Sequence, residues 1–127
     1  MRFTLRDNLP FVTVTLSYRG TAVSVPHVLI DTGSARTIFA FDIVSGIQIS
    51  PAPEDILYAI RGVGGMETVF SRTVDYLQVG DRQLPQFEIE VGGMDYGFDI
   101  QGILGMDFLR QARAVLNLDE LSLDFVR

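Results

Sequence analysis

Apolar and polar residues alternate with a period of two through most of this chain. From Phe11 to Leu16, Val12, Val14 and Leu16 fall on one side and Thr13 and Thr15 on the other, the pattern of a half-buried strand. After a turn at Arg19-Gly20, a second strand runs from Thr21 to Ile30. It finishes in the continuous apolar run Val28-Leu29-Ile30, which predicts burial on both faces at that end. Ile38 to Val44 fits either a short helix or an irregular turn, closed by Gly46, and Pro51-Ala52-Pro53 marks a loop. Ile56 to Ile60 and Met66 to Val74 flank Gly62-Val63-Gly64-Gly65, which reads as a hairpin with a glycine-rich tip. Thr73 to Val79, a turn at Gly80-Asp81, and Phe87 to Val91 predict another strand pair, ended by Gly92-Gly93. Asp107 to Ala112 is the clearest helical turn, with Asp107 as its N-cap. Ala114 to Leu118, a turn at Asp119-Glu120, and Leu121 to Val126 make a last hairpin. The expectation is one all-β domain over residues 1–127 with one short C-terminal helix.

Composition narrows the chemistry. A net charge of −6 argues against nucleic acid, because binding phosphates needs a basic surface. No cysteine is present, which excludes disulfides, thiol catalysis and cysteine-ligated zinc. The single histidine, His27, makes a histidine-rich metal site impossible within one chain, and no metal or other cofactor is expected. No apolar run approaches the roughly 18 residues of a membrane span. Met1 to Asp7 lacks the apolar core of a secretory signal, so the expected location is cytoplasmic if the chain is full length.

The most informative segment is Leu29-Ile30-Asp31-Thr32-Gly33-Ser34. A carboxylate stands where a buried strand ends. A small hydroxyl residue able to tie a loop down follows it. A glycine then permits a tight loop and close approach of a substrate. Asp-x-Gly is also a common turn sequence, so the motif alone fits a surface turn equally well. Two further segments change the weighing. One is the glycine tip, Gly62 to Gly65, which alone reads as a flexible hairpin end. The other is Gly102-Ile103-Leu104-Gly105-Met106-Asp107-Phe108-Leu109, apolar residues and a glycine leading into a helix.

In this order and spacing the three motifs resemble the retropepsins, the single-domain aspartic peptidases of retroviral type, over roughly residues 9 to 118. The resemblance implies a closed β-barrel and an aspartic endopeptidase acting on polypeptides. It implies Asp31 as the catalytic aspartate and Thr32, Gly33 and Ser34 as the active-site loop. It makes Ile60, Gly62, Val63, Gly64 and Gly65 a flap over the substrate, and Ile103, Leu104 and Gly105 the support beneath the site. Such a site needs two aspartates. Asp95-Tyr96-Gly97 is a poor second copy, since Tyr96 cannot play the part of Thr32 and no buried strand precedes it. The second carboxylate is therefore expected from Asp31 of an identical chain, in a homodimer.

Some positions depart from the retroviral pattern. Ala35, Arg36 and Met106 stand where many retroviral enzymes carry an acidic–arginine ion pair, so the interface is expected to be held differently. Arg36 reads first as a solvated loop charge, His27 as a surface or hydrogen-bonded histidine, and Asp95 and Asp99 as a solvated acidic loop. Ser34 is expected to donate to the outer oxygen of Asp31 and lower its pKa. Leu121, Leu123 and Phe125 form an apolar face, expected to be covered by the second chain. The alternative reading is a peptide-binding or interaction module of the same fold with little turnover.

Overall fold

The computed structural model describes residues 1–62, 65–93 and 99–127, the side chains of 60–62 and 65–67 excepted. Its strands are β1 (Thr4–Arg6), β2 (Leu9–Tyr18), β3 (Thr21–Ile30), β4 (Ile38–Ala40), β5 (Tyr58–Gly62), β6 (Gly65–Val79), β7 (Arg82–Gly92), β8 (Gly102–Leu104), β9 (Ala114–Asn117) and β10 (Ser122–Phe125). Helix α1 (Phe41–Val44) runs into a 3₁₀ turn (Ser45–Ile47), and α2 (Met106–Gln111) precedes β9. The fold is thus mostly β rather than all-β, with helix at two places instead of one. The segment from Ile38 to Val44 is neither helix nor turn throughout: it starts as a strand and becomes helix at Phe41.

Eight strands form one sheet in the order β1-β2-β3-β8-β4-β7-β6-β5, and β2 also pairs with β6. That extra pairing, with Leu16 opposite Leu77, brings the sheet back on itself as a ring. The ring is what the structure has in place of the expected barrel. Alternation explains it. Val12, Val14 and Leu16 are buried while Thr13 is exposed, so β2 turns one face inward along its length. The strands expected at Met66 to Val74 and Thr73 to Val79 are one continuous β6, long enough to pair with β5 at one end, β2 at the other and β7 along most of its length. The short β1 was not expected. Its hairpin turns at Asp7-Asn8, both at positive φ, which short polar side chains tolerate.

Phe39, Phe108, Leu16, Leu77 and Leu104 are among the fully buried side chains that fill the ring. Phe108 of α2 meets Phe87 and Phe125 edge-on, with ring centroids 5.8 and 6.5 Å apart. The apolar face of the last hairpin is consequently covered within the chain. Leu123 is fully buried, and Leu121 and Phe125 pack on the same core. The free edge of β10 is also taken. Arg2 bridges to Ser122, Phe3 N donates to Leu121 O at 3.0 Å and Leu123 N to Met1 O at 2.8 Å. No helix among the described residues is long and apolar enough to cross a membrane.

Candidate active site

The site begins where β3 ends. β3 and β8 run parallel, with Val28, Leu29 and Ile30 opposite Gly102, Ile103 and Leu104. Val28 and Ile30 are buried in the main core, and Leu29 and Ile103 pack on a second apolar cluster, so this strand end is enclosed on both faces as its sequence predicts. The pairing continues one step further: Asp31 N donates to Leu104 O at 3.0 Å. Ile103 and Leu104 thereby fix the height at which the chain leaves the sheet, and Asp31 stands half-buried at that point.

The loop closes on the carboxylate. Gly33 N donates to Asp31 Oδ1 at 2.9 Å, and Ser34 N to Asp31 O at 3.2 Å. Glycine suits position 33 by leaving space rather than by allowing a left-handed backbone. A Cβ there would lie 3.2 Å from Asp31 Oδ1, in the way of the bond that orients it. Ser34 does not do what was expected of it. Its hydroxyl has one proton and donates it to Arg36 O at 2.8 Å, so it braces the loop instead of touching Asp31. Thr32 is exposed at the tip.

The exit of the loop is clamped to the start of α2. Met106 N donates to Ser34 O at 2.8 Å. Gly105 has no room for a side chain, since a Cβ would stand 2.4 Å from Arg36 O and 2.9 Å from Ser34 O. Thr37, fully buried, is the centre of the clamp. Its N donates to Asp107 Oδ2 at 3.0 Å and its hydroxyl to Asp107 Oδ1 at 2.7 Å, while Gly105 N donates to that hydroxyl at 3.0 Å. Glu90 N donates to Thr37 O at 2.9 Å. Asp107 is therefore not the N-cap of α2, a place held by Gly105. It lies inside the first turn, where its Oδ1 also accepts from Phe108 N at 2.7 Å, and its main work is to hold Thr37. Sequence pattern did not reveal this pair, because nothing local to either residue signals a partner 70 positions away.

Arg36 is a largely solvated loop charge, as expected, but it is not unpaired. It reaches Glu88 and Glu90 on β7, at 3.4 and 4.0 Å. Neither glutamate was among the expected site residues. Glu90 is buried, and that burial pushes its carboxyl above the usual carboxylate range. His27, half-buried on β3 four residues before Asp31, places Nδ1 2.8 Å from Asp99 Oδ2. It forms no part of the Asp31 loop.

β5 and β6 form the expected hairpin, paired from Tyr58–Val69 to Ile60–Glu67 and Gly62–Gly65. Val63 and Gly64, its expected tip, lie outside the described residues, as does Asp95-Tyr96-Gly97. The structure thus brings Asp31, Thr32, Gly33, Ser34, Ile103, Leu104 and Gly105 together around one loop. Among the described residues no group of three or more His, Cys, Asp or Glu side chains could hold a metal ion. Among the described residues this open loop offers one oriented carboxylate, half of what acid–base hydrolysis by a carboxylate pair requires.

A family model described as aspartyl protease matches residues 12–108, a span that holds Asp31, the hairpin and Gly105. No curated protein matches the chain. Among solved structures it is similar to a retropepsin-like aspartic protease from Rickettsia conorii, with a TM-score of 0.70 at 13% identity, over 97% of this chain and 95% of that one. At that identity the likeness shows the fold.

Proposed function

The chain belongs to the aspartyl protease family, and from that membership we propose that it is an aspartic endopeptidase whose active site forms between two identical chains. The observation that carries this reading is Asp31 itself. It stands at a buried strand end with one oxygen fixed by Gly33 N at 2.9 Å and the loop open beyond it. Brought face to face around a two-fold axis, two such carboxylates hold one water between them. Like charges so close cannot both ionise, so the pair shares a proton, as in other aspartic peptidases. The ionised member takes a proton from the water as its oxygen attacks the peptide carbonyl. The protonated member hydrogen-bonds the developing oxyanion and then protonates the leaving nitrogen. The titrating unit is the pair.

Thr32 would bond into the partner's loop and Gly33 would meet the substrate backbone. The β5–β6 hairpin would close as a flap over an extended peptide, added as a strand above the loop. Ile60, Gly62, Val63, Gly64 and Gly65 belong to that flap. The contact between chains falls on β9. One of its edges pairs with β10, and among the described residues no strand pairs with the other. Val115 and Leu118 are 50% and 67% exposed there, and Met106, beside the Asp31 loop, 40%. An open edge flanked by apolar side chains is a template for another strand. Pairing β9 with its two-fold mate satisfies that edge without disturbing the N-terminal residues already paired with β10.

Cleavage of denatured casein across pH, by the wild type and by Asp31→Asn, tests the proposal. Hydrolysis by the wild type and its loss in a folded Asp31→Asn protein is the expected result. Peptide binding without hydrolysis by the wild type would favour an interaction module instead.

A further inference from the structure

Three parts of the fold that frame the proposed cleft meet in one charged cluster. Arg36 leaves the Asp31 loop, Glu88 and Glu90 project from β7, and Tyr58 comes from the base of the β5–β6 hairpin. Arg36 Nη1 is 3.4 Å from Glu88 Oε1 and Arg36 Nε 4.0 Å from Glu90 Oε1. Both are longer than a charge-assisted hydrogen bond of about 2.8 Å. Tyr58 Oη lies 2.9 Å from Ser71 Oγ, and Ser71 is the β6 residue opposite Glu90. The cluster is graded in depth. The side chains of Arg36 and Glu88 are 59% and 54% exposed, that of Glu90 only 9%.

With both carboxyls and the guanidinium ionised, Glu88, Glu90 and Arg36 carry two negative charges and one positive. Arg36 sits too far from Glu90 to neutralise it by a direct bond. Burial raises the Glu90 carboxyl's affinity for a proton. Arg36 and Tyr58 oppose that, and Asp107 and Glu88 reinforce it. A nearly buried carboxylate whose nearest cation stands 4.0 Å away, beyond a direct bond, is stabilised further by a cation that reaches it.

Resting on the peptidase reading above, we propose that Glu90, Glu88 and Arg36 form a specificity subsite that selects an Arg or Lys side chain of the substrate close to the cleaved bond. A peptide lying as a strand between the hairpin and the Asp31 loop passes between Tyr58 and Arg36. Its basic side chain reaches down to Glu90 and Glu88, and Arg36, mostly exposed, swings aside. An acidic substrate side chain would have to compete with both glutamates for Arg36. The two-fold axis provides one such subsite on each side of the cleaved bond.

The test is a peptide set in which each position flanking the cleaved bond carries Arg, norleucine or Glu in turn, assayed as kcat/KM. At one position or a symmetric pair of positions, the wild type should favour Arg over norleucine by about fivefold, through KM, as a partly screened ion pair would. The preference should shrink as acid protonates Glu90. Glu90→Gln, which is nearly isosteric, and Glu88→Gln, at an exposed site, should each pull that ratio towards one. Equal cleavage of the three peptides, a preference for Glu, or a ratio that survives both variants would overturn the subsite and leave the peptidase reading standing. Failure of the wild type to cleave any peptide would remove that reading, and the subsite with it.

Discussion

Replacing Asp107 by Ala removes a carboxylate that accepts three hydrogen bonds, from Thr37 N, Thr37 Oγ1 and Phe108 N, at 3.0, 2.7 and 2.7 Å. The Thr37 hydroxyl can rotate to another acceptor. The two backbone N–H groups cannot, and Thr37 and Phe108 are both fully buried. An orphaned buried donor costs roughly 1–3 kcal/mol. Two of them, with some relief from water entering the space left by the side chain, give a loss of roughly 3 kcal/mol. For a chain of this size that is a fall in Tm of about 10 °C. The loss of a negative charge in the first turn of a helix contributes less, about 1 kcal/mol at an exposed site and up to about 2 at a partly buried one. Asp42 isolates that smaller effect, because it is an exposed acidic residue in the first turn of α1. Thermal and urea denaturation followed by circular dichroism, at one protein concentration so that association contributes equally, would compare Asp107→Ala with Asp42→Ala. Loss of stability by Asp107→Ala within about 0.5 kcal/mol of the control would refute the assignment of Thr37 and Asp107 as the clamp.

Gly105→Ala should be more damaging than its size suggests, because its methyl would stand 2.4 Å from the Arg36 carbonyl oxygen. A loss of roughly 2 kcal/mol or more in denaturation, with loss of activity, is expected, and a neutral substitution would contradict the packing. Val115→Glu puts like charges on either side of a two-fold β9 contact and should give monomers in sedimentation velocity, without unfolding. A variant that stays dimeric would move the interface elsewhere. Glu90 provides a pH test of stability. Its raised pKa means that the folded chain binds the proton more tightly than the unfolded one. Its contribution is therefore full below the ordinary glutamate pKa of about 4.3 and is lost as pH rises through the folded value. The Tm of Glu90→Gln should gain on that of the wild type from pH 4 to pH 7, and parallel curves would show that burial does not govern this carboxyl.

What could be read in the sequence was mainly local. β3 begins and ends where its pattern predicts, because alternation followed by an apolar run is a property of the strand itself. The Asp31 loop, the glycine-flanked hairpin and the segment from Gly102 to Gly105 were legible because each carries its constraint in adjacent residues. The helix at Phe41 was only half legible, since Ile38-Phe39-Ala40 pairs with β7 and β8 and that pairing is long-range. Contacts made by the polar side chains around the loop left no trace. Ser34 turns to Arg36, Thr37 to Asp107, and Arg36 to Glu88 and Glu90 for reasons of three-dimensional placement. The apolar stripe of Leu121, Leu123 and Phe125 was read correctly as a face that needs cover. Its cover is the chain's own core, with Phe108 against Phe125, and a one-dimensional pattern cannot tell an internal partner from an external one.

An active site formed between two chains takes one Asp31 from each. Wild type and Asp31→Asn, mixed as unfolded chains in equal amounts and refolded together, test it directly by peptide hydrolysis. Random pairing across a two-fold interface puts two intact aspartates in about one dimer in four. The expected result is about a quarter of the activity of the same total amount of wild type, falling as the square of the wild-type fraction across a series of mixtures. Activity in direct proportion to the wild-type fraction, about half at the equal mixture, would mean that a single chain carries a whole site and would rule out the shared one.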